Sequence, residues 1–338
     1  MNKRIRVLVL DDSPLYREVL TRALESDPGI EVVAKAVDPY DARDKLIEFE
    51  PDVMTCDIEM PKMNGIDFIR RLMPQYPLPV IVVSSVSTAV FDALQVGAVD
   101  FLTKPDVKSA EDVTLFVSEL VHKVKSAVGA KIMKTTVVQE ERMEEVCNSS
   151  NFDLIAIGAS TGGTEAIFRV LKKLPPTLPG IVIVQHIPPV FSKMFAERLN
   201  LQTRFAVKEA QTGDLIEPGK IFVAPGDQHI AVKKIGSRYR IEAFSGEKVN
   251  GHCPSVDVLF ESVAKECKEK AIGIILTGMG YDGSRGLLSM RRHGARTLGQ
   301  DEASSVVYGM PKVAYEVGAV EKQCSLEGIP HKLLSFFK

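Results

Sequence analysis

The chain has 338 residues, of which 45% are hydrophobic and 25% are charged. These proportions are ordinary for a globular protein, and the length is enough for about two domains. The formal net charge of −2 provides none of the basic surplus typical of nucleic-acid-binding domains, so we expect no nucleic-acid partner. No apolar run reaches the roughly 18 residues that a membrane helix needs, and the charged start from Met1 to Leu10 is too brief for a secretion signal. We therefore expect no membrane insertion.

The cysteines indicate a reducing environment. The chain contains 5 of them, which are scattered and form no Cys-x-x-Cys pair. An odd number without a pairing pattern is typical of reduced proteins rather than of disulfide scaffolds. The sequence therefore predicts a cytoplasmic location.

The first third of the chain alternates short apolar runs with amphipathic segments. The apolar runs have the continuous hydrophobicity of buried parallel strands, and they lie at Arg6–Leu10, Glu31–Ala36, Val53–Cys56, Val80–Val83 and Asp100–Leu102. Helices are predicted over 14–26 and 39–50, from residue 65 onward, and over 110–125. Five successive βα units predict an α/β domain with a doubly wound parallel sheet.

Polar side chains follow these predicted strands where ligands of such sheets bind, beyond the carboxyl ends. They are Asp11, Asp12, Asp57, Ser84 and Lys104. Three neighbouring carboxylates repel one another unless a divalent cation neutralises them, and oxygen ligands of this kind suit Mg²⁺. A carboxylate beside Mg²⁺ and a lysine can accept a phosphoryl group. Solvated loops at strand ends are the alternative, and the matching positions of all five groups disfavour it.

Over about residues 3–122 the chain resembles the receiver domain of response regulators, which has a flavodoxin-like fold of five parallel strands. The motif residues are Asp11-Asp12, Asp57 followed by Met60-Pro61-x-Met63-x-Gly65, Ser84, Phe101 and Lys104-Pro105. The resemblance implies that Asp57 accepts a phosphoryl group from a sensor histidine kinase.

The same resemblance assigns roles to the residues around Asp57. It implies that Mg²⁺ is held by Asp12, Asp57 and the backbone carbonyl of Glu59, with Asp11 supporting the metal site. Lys104 would pair with the phosphoryl oxygens. Ser84 and Phe101 would be the hydroxyl and aromatic switch residues, for which a strand-end cap and a core aromatic are the plainer alternatives.

The apolar periodicity fades after the last of these helices. The segment Gln139-Glu140-Glu141-Arg142-Met143-Glu144-Glu145 is rich in charge, and Asn148-Ser149-Ser150-Asn151 has turn composition. We predict a mobile linker over 123–147, between a first domain at 3–122 and a second at 148–338.

The second half also has the pattern of an α/β fold with parallel strands. Buried strands are predicted over 153–158, 181–185 and 272–276, a further strand near 297–299, and shorter ones over 205–208, 221–224, 230–233 and 239–243. Helices are predicted from about Thr164 to Lys173, over 192–199, over 255–269 with Ser255 as N-cap, and from about Ser284 to His293, with two more at the end. We expect a doubly wound catalytic domain.

The turn Gly158-Ala159-Ser160-Thr161-Gly162-Gly163 joins a buried strand to a helix and contains only small residues. Such a turn either binds an anion at the helix N-terminus or projects a nucleophile. The first alternative would include nucleotide binding, but the turn does not match G-x-G-x-x-G. Moreover, Gln185-His186 stands where a ribose-binding acid should follow the next strand. The pattern G-x-S-x-G therefore favours Ser160 as a nucleophile.

A serine hydroxyl needs a base, and the base needs a third group that orients it. His186 ends the strand of the next βαβ unit, so it should lie beside Ser160. Asp282 lies in a glycine-rich turn after a third buried strand, where the alternative is an N-cap for the following helix. His229 and His252 flank loops and remain possible walls of the site. The order Ser…His…Asp differs from that of α/β-hydrolases, so the arrangement would be convergent.

From about residue 148 to 338 the chain resembles the chemotaxis protein-glutamate methylesterases. The matching segments are Gly158-Ala159-Ser160-Thr161-Gly162-Gly163, Gln185-His186 and Leu276-Thr277-Gly278-Met279-Gly280-x-Asp282-Gly283. The resemblance implies a serine hydrolase that releases methanol from glutamate γ-methyl esters on the cytoplasmic helices of chemoreceptors and deamidates selected receptor glutamines. It implies no cofactor for the esterase reaction. The expected oxyanion donors are backbone amides of Met279 and of the turn at Thr161 and Gly162.

A receiver fused to a hydrolase predicts control of the esterase by phosphorylation of Asp57. We expect the unphosphorylated receiver to cover the edge that carries Ser160. A protein of another class, a phosphorylation-dependent binding protein with an inert esterase site, is the remaining alternative.

Overall fold

The computed structural model describes residues 3–85, 88–106, 109–131 and 151–337. The chain divides into two compact units, residues 1–137 and 138–338. Most of the predicted linker, residues 132–147, lies outside the described residues. Within the described part of the chain, no helix is long and apolar enough to cross a membrane.

The first unit is a parallel sheet of five strands in the order β2-β1-β3-β4-β5. Its strands are β1 (Ile5–Leu10), β2 (Ile30–Ala36), β3 (Val53–Cys56), β4 (Val80–Ser84) and β5 (Asp100–Thr103). Its helices are α1 (Pro14–Glu25), α2 (Pro39–Phe49), α3 (Gly65–Leu72), α4 (Ala89–Gln95) and α5 (Ala110–Ala127). The five predicted parallel strands are confirmed, whereas α4 was not predicted.

Local chemistry explains where several of these helices begin. Asp38 accepts hydrogen bonds from the amides of Tyr40 and Asp41 at the start of α2. Asn64 caps α3 and Ser109 caps α5 through the same kind of side-chain acceptor. These caps satisfy amides that have no partner within the helix.

The second unit contains a parallel sheet of seven strands in the order β15-β14-β13-β6-β7-β10-β8 and an antiparallel sheet in the order β11-β12-β9. The strands are β6 (Leu154–Ala159), β7 (Gly180–Gln185), β8 (Ala206–Glu209), β9 (Leu215–Ile216), β10 (Lys220–Val223), β11 (His229–Ile235), β12 (Arg238–Phe244), β13 (Ala271–Ile275), β14 (Arg296–Gln300) and β15 (Lys322–Cys324). The helices are α6 (Gly163–Lys172), α7 (Phe191–Gln202), α8 (Val256–Glu266), α9 (Ser284–Arg292), α10 (Met310–Glu316) and α11 (Ile329–Leu334). The α/β class with parallel strands is confirmed.

The antiparallel sheet corrects the expectation of parallel strands for two of the four shorter segments, 230–233 and 239–243, whereas 205–208 and 221–224 do belong to the parallel sheet. Ile235 pairs with Arg238, so only two residues connect β11 and β12. A connection of this length permits only a hairpin, because parallel neighbours need a crossover of a dozen or more residues. The helix predicted over 255–269 is also shorter than expected, since α8 ends at Glu266 and a 3-10 turn covers Lys268–Lys270.

The central strands β6, β7 and β13 are buried along their whole length. Helix α8 packs against the end of β6, and a glycine permits this approach. A Cβ atom on Gly158 would lie 2.2 Å from Cγ1 of Val256. The N-terminus of α8 is thereby held at the edge of the sheet where β6 and β13 end.

Candidate active site

The carboxyl ends of three neighbouring strands meet at one edge of the seven-stranded sheet. Ala159 of β6 pairs with Gln185 of β7, and Gly158 pairs with Ile275 of β13. The residues that follow these strands are therefore neighbours. The amide of His186 donates to the carbonyl of Ala159 at 3.1 Å, and the amide of Ser160 donates to the carbonyl of Thr277 at 3.0 Å.

Ser160 lies on a tight, half-buried turn between β6 and α6. Its carbonyl accepts hydrogen bonds from the amide of Gly163 at 2.7 Å and from Nε2 of Gln185 at 2.9 Å. Gly162 has φ 76°, a conformation that favours glycine. A Cβ atom on Gly278 would lie 2.7 Å from Cβ of Ser160, so only glycine allows the loop after β13 to approach the serine.

His186 is oriented by Asp282. Its Nε2 lies 2.9 Å from Oδ2 of Asp282, and the two side chains are 8% and 2% exposed. The carboxylate accepts from Nε2, which leaves Nδ1 as the acceptor nitrogen of the neutral ring. Nδ1 is buried and has no hydrogen-bond partner among the described residues. The structure thus forms the His–Asp contact but no Ser160–His186 hydrogen bond, a contact that is often loose without substrate.

Asp282 is surrounded by donors from α8 and the loop before it. Oδ1 accepts from Nδ2 of Asn250 at 2.7 Å and from Oγ of Ser255 at 2.8 Å, and Oδ2 accepts from the amide of Val256 at 2.7 Å. Burial alone would raise the pKa of Asp282, but the hydrogen bond and charge of His186, together with Asn250 and the Val256 amide, hold this pKa well below its ordinary value. Asp282 is therefore a carboxylate at neutral pH.

The structure corrects two predictions about helix caps. Asp282 does not cap the helix that follows it, because its carboxylate lies at the N-terminus of α8 instead. Ser255 does occupy the N-cap position of α8, but its hydroxyl donates to Asp282 and caps no amide. Asp257 in α8 accepts from the amide of Gly286 in α9 at 2.7 Å. Asp282, which precedes α9, therefore lies at the N-terminus of α8, and Asp257 of α8 lies at the N-terminus of α9. The helix dipole favours negative charge at both positions.

Two histidines left open by the sequence have different positions. The ring of His252 stacks on that of His186, with centroids 3.7 Å apart and an angle of 12° between the planes. His229 instead contacts Ser255, the residue before α8. Its Nδ1 accepts from the amide of Ser255 at 3.1 Å and its Nε2 contacts the carbonyl of Glu247 at 2.9 Å, which fixes the neutral tautomer. His252 therefore touches the proposed base directly, whereas His229 supports Ser255.

The predicted oxyanion donors border Ser160. Gly278, which packs against the serine, is held by amides of Gly309 and Met310, which donate to its carbonyl at 3.1 and 2.7 Å. Met279 follows directly in the chain. On the other side, Oγ1 of Thr277 donates to the carbonyl of Thr161 at 3.0 Å. The use of the amides of Met279, Thr161 or Gly162 as oxyanion donors stays a prediction.

The receiver unit collects the predicted acidic residues at the ends of β1 and β3. Carboxylate oxygens of Asp11, Asp12 and Asp57 all lie within 4.8 Å of one another. Nζ of Lys104 lies 2.7 Å from Asp57 and 2.9 Å from Asp11. Burial raises the pKa of Asp11, and the hydrogen bonds to Asp57 and Asp11 outweigh burial and raise the pKa of Lys104. The amide of Glu59 lies 3.4 Å from Oδ1 of Asp57, at the border of this cluster.

The side chains around this cluster fit a divalent cation and a phosphoryl group. The hydroxyl of Ser84 is buried and has no hydrogen-bond partner in the described ranges, so an acceptor could be added beside it. The cluster supplies only oxygen ligands, as Mg²⁺ prefers. Phe101 is a buried core aromatic that meets Phe91 edge-on, with centroids 6.0 Å apart. The switch roles of Ser84 and Phe101 remain predictions.

Comparison with known proteins gives the family. The family model described as CheB methylesterase matches residues 155–333, and that described as the response regulator receiver domain matches residues 7–114. The chain belongs to the CheB methylesterase family. A protein-glutamate methylesterase/protein-glutamine glutaminase of Syntrophomonas wolfei is 54% identical over 331 residues, which cover 98% of this chain and 97% of that relative. One of Syntrophotalea carbinolica is 50% identical over 345 residues, with 99% and 98% covered.

A solved structure is similar to the second unit. It is the CheB methylesterase catalytic domain of Thermotoga maritima, which shares 36% identity at a TM-score of 0.53 and covers 54% of this chain and 98% of that one. The relatives named above are thus matched along almost their whole length by a chain that carries both units.

Proposed function

We propose that this chain is a phosphorylation-activated protein-glutamate methylesterase and protein-glutamine glutaminase acting on chemoreceptors. The observation that carries the proposal is the contact of His186 with Asp282, 2.9 Å long, at the sheet edge where Ser160 follows the neighbouring strand. Family membership supplies the substrate class. The proposal places the protein in chemotactic adaptation, with a sensor histidine kinase as phosphodonor.

In the proposed reaction Ser160 attacks the ester carbonyl of a γ-methyl glutamyl side chain. His186 takes the serine proton on Nδ1, because Nε2 already faces Asp282. The imidazolium is stabilised by the Asp282 carboxylate and then protonates the departing methanol. Water attacks the acyl-enzyme in a second step, with His186 again as base, and glutamate is released. Deamidation of glutamine follows the same route, with ammonia as the leaving group.

The tetrahedral intermediate requires donors for its oxyanion. The candidates are the amides of Met279 and of the turn that contains Thr161 and Gly162, because both segments border Ser160. Removing one such donor in other hydrolases costs roughly 10²–10³ in rate. No metal or organic cofactor is part of this proposal for the esterase site.

The receiver would be phosphorylated on Asp57 with the help of Mg²⁺, which neutralises charge on the phosphoryl oxygens when bound. Asp12, Asp57 and the carbonyl of Glu59 would hold the ion, and Asp11 would support it. Lys104 already contacts Asp57 and would pair with the transferred group. The added charge of about −2 would draw in Ser84 and change the surface of the receiver.

Control by the receiver predicts a difference between two forms of the protein. A fragment that begins near Asn148 should release methanol from methylated receptors faster than the unphosphorylated full chain. The reason is that a tethered blocker acts at an effective concentration near millimolar, so even a weak contact covers the site. Initial rates at matched concentrations, with and without a phosphodonor, would measure this. Asp57→Asn should abolish the stimulation by the phosphodonor, and equal rates for fragment and full chain would refute the blocking model.

The stack of His252 on His186 predicts a positioning role. His252→Ala should lower kcat for methanol release by about 10- to 100-fold, because a small displacement of a catalytic group has effects of this size. His252→Phe keeps an aromatic plane against the imidazole and should retain more activity than alanine. His293→Ala, at an exposed histidine after α9, is the control. Alanine and phenylalanine variants of equal activity would contradict a role for the stacked plane.

One assay distinguishes the proposed enzyme from the alternative, a binding protein with an inert esterase site. Methanol release from methylated receptor membranes, measured with and without a phosphodonor, should be detectable and stimulated. Phosphodonor-dependent binding to receptors without any methanol release would favour the binding protein.

A further inference from the structure

A cavity of about 350 Å³ opens in the second unit beside the proposed active site. Its walls come from the loop after β7, the loop after β8 and the loop between β10 and β11. The polar side chains that line it are Ser192, Glu209, Gln211, Thr212, Asp227 and Gln228. Cavities of this size at the carboxyl edge of a parallel sheet are where ligands of α/β folds bind.

The cavity wall around Glu209 is tied together by a buried serine. Oγ of Ser192, which is fully buried, donates to Oε1 of Glu209 at 2.6 Å and accepts from the amide of Gly226 at 3.0 Å. A Cβ atom on Gly226 would lie 2.3 Å from the nitrogen of Pro189, so the two loops pack directly on each other. Glu209 is therefore held in place through Oε1, whereas its Oε2 has no hydrogen bond to any residue that the structure describes and can accept one from a ligand.

Two chain segments connect the cavity with the proposed base. Pro189 lines the cavity and is three residues after His186, a distance of at most about 11 Å. Asp227 also lines the cavity, and its carbonyl accepts from Sγ of Cys253 at 3.3 Å. Cys253 follows His252, whose ring stacks on His186. The cavity and the esterase site are thus adjacent parts of one surface.

The charged residues that line the cavity favour a cationic ligand. Glu209 and Asp227 are acidic, and none of the residues that line the cavity in the described part of the chain is lysine, arginine or histidine. The nearby Lys208 is engaged elsewhere, because its Nζ contacts Asp214 at 2.8 Å. The two carboxylates and the side-chain amide oxygens of Gln211 and Gln228 offer acceptors in several directions, as an ammonium or guanidinium group requires.

We infer that this cavity is a substrate subsite, which binds a lysine or arginine side chain on the receptor helix that carries the glutamyl ester. The inference rests on the proposed function. Residues four and seven positions apart on a helix are separated by about 6 and 10.5 Å along its axis. A helix that presents its ester to Ser160 can therefore place a basic side chain one or two turns away in the cavity. The subsite fixes which glutamates of a receptor are demethylated.

The test compares receptor fragments that each carry one methylated glutamate. One set has a lysine four or seven positions before or after the ester, and a matched set has glutamine there. The full-length protein, treated with a phosphodonor, should hydrolyse at least one lysine fragment with a kcat/KM about 5-fold higher than its glutamine partner, as expected for a partly exposed ion pair. The difference should lie mainly in KM.

Substitutions of the two cavity carboxylates test whether these side chains cause the preference for lysine fragments. Glu209→Gln combined with Asp227→Asn should remove the preference, whereas Asp227→Lys should favour a fragment with glutamate at the same position. Asp227→Asn alone changes an exposed side chain, so it keeps the test valid if the double variant does not fold. Glu269→Gln is the control, because Glu269 precedes β13 at the opposite edge of the sheet and its loss should leave the preference intact.

The outcomes separate the subsite from the proposed function. Equal kcat/KM for every lysine and glutamine pair, or a preference that survives the loss of both carboxylates, would overturn the subsite while leaving the esterase function in place. Absence of methanol release from all fragments would overturn the proposed function and the subsite with it.

Discussion

Ser160→Ala is expected to lower kcat for methanol release by about 10⁶-fold, the loss seen when a serine nucleophile is removed from other hydrolases. Without Oγ no acyl-enzyme can form, and His186 has no hydroxyl to activate. Phosphorylation of Asp57 should continue at the same rate, since the receiver residues that carry it belong to the other compact unit. Removal of this one oxygen atom would thereby abolish the esterase activity and leave the phosphorylation of Asp57 intact.

The measurement is methanol release from methylated receptors, together with incorporation of phosphate from a radiolabelled donor. Ser237→Ala is a matched control, because Ser237 lies in the exposed connection between β11 and β12. It should leave both readouts at the level of the unaltered protein. A Ser160→Ala protein that retains more than about one per cent of the esterase rate would exclude Ser160 as the nucleophile.

The neighbouring positions of Ser160 and His186 could be predicted because they depend on local sequence and one topological rule. Residues 154–159 and 180–185 are continuous apolar runs, which is the pattern of strands buried on both faces. Strands joined by a single helix are usually neighbours, so the residues after both runs share an edge. A different rule placed Asp11 and Asp57 together in the receiver unit: ligands of doubly wound sheets bind beyond the carboxyl ends of the strands, and the strands that these residues follow, β1 and β3, are paired.

The surroundings of Asp282 could not be predicted from the sequence. Asn250 and Val256 come from segments about thirty residues earlier in the chain, and their contacts depend on the packing of α8 against α9. The stack of His252 on His186 likewise joins distant loops with no periodic signal. Local propensity does indicate that Asp282 lies near a helix N-terminus, but it cannot tell which helix, because that choice is made by tertiary packing.

The antiparallel sheet was missed for a different reason. The segments 230–233 and 239–243 were both recognised as strands, but their pairing depends on the length of the turn between them. Because the strands extend to Ile235 and Arg238, the connection is too short for a parallel crossover. Even the predicted bounds leave only five residues between the two strands, so the length of this connection is by itself enough to predict an antiparallel hairpin from the sequence.

Asp282→Asn is expected to reduce kcat for methanol release by about 10⁴-fold, as in hydrolases where the acid of the triad is made neutral. An asparagine can still accept from the Val256 amide through its oxygen, so the backbone should remain in place. However, a neutral amide no longer stabilises the imidazolium that forms at His186. In the opposite orientation its nitrogen takes the place of Oδ2 and the Val256 contact is lost; the nitrogen then donates to Nε2 and moves the ring proton to Nδ1, where the serine proton must be received.

The second acid of the pair provides the matched control. Asp257 is buried like Asp282 and shares Asn250 with it, since Nδ2 of Asn250 contacts both carboxylates at 2.8 and 2.7 Å. Asp257 does not touch His186 but accepts from the Gly286 amide at the start of α9. Asp257→Asn should therefore lower thermal stability with a far smaller effect on kcat than Asp282→Asn.

Acid pH distinguishes the two roles further. Because the pKa of Asp282 is lowered on folding, its ionised form stabilises the native state above the pKa of the unfolded chain, and this contribution is lost as pH falls towards the folded value. The pKa of Asp257 is raised, chiefly by burial and further by the charge of Asp282, so its contribution has the opposite sign and is lost as pH rises. The stability deficit of Asp282→Asn should thus shrink on acidification, whereas that of Asp257→Asn should not. Equal losses of kcat in both variants at neutral pH would show that the two acids act only through the fold and that Asp282 has no special role at His186.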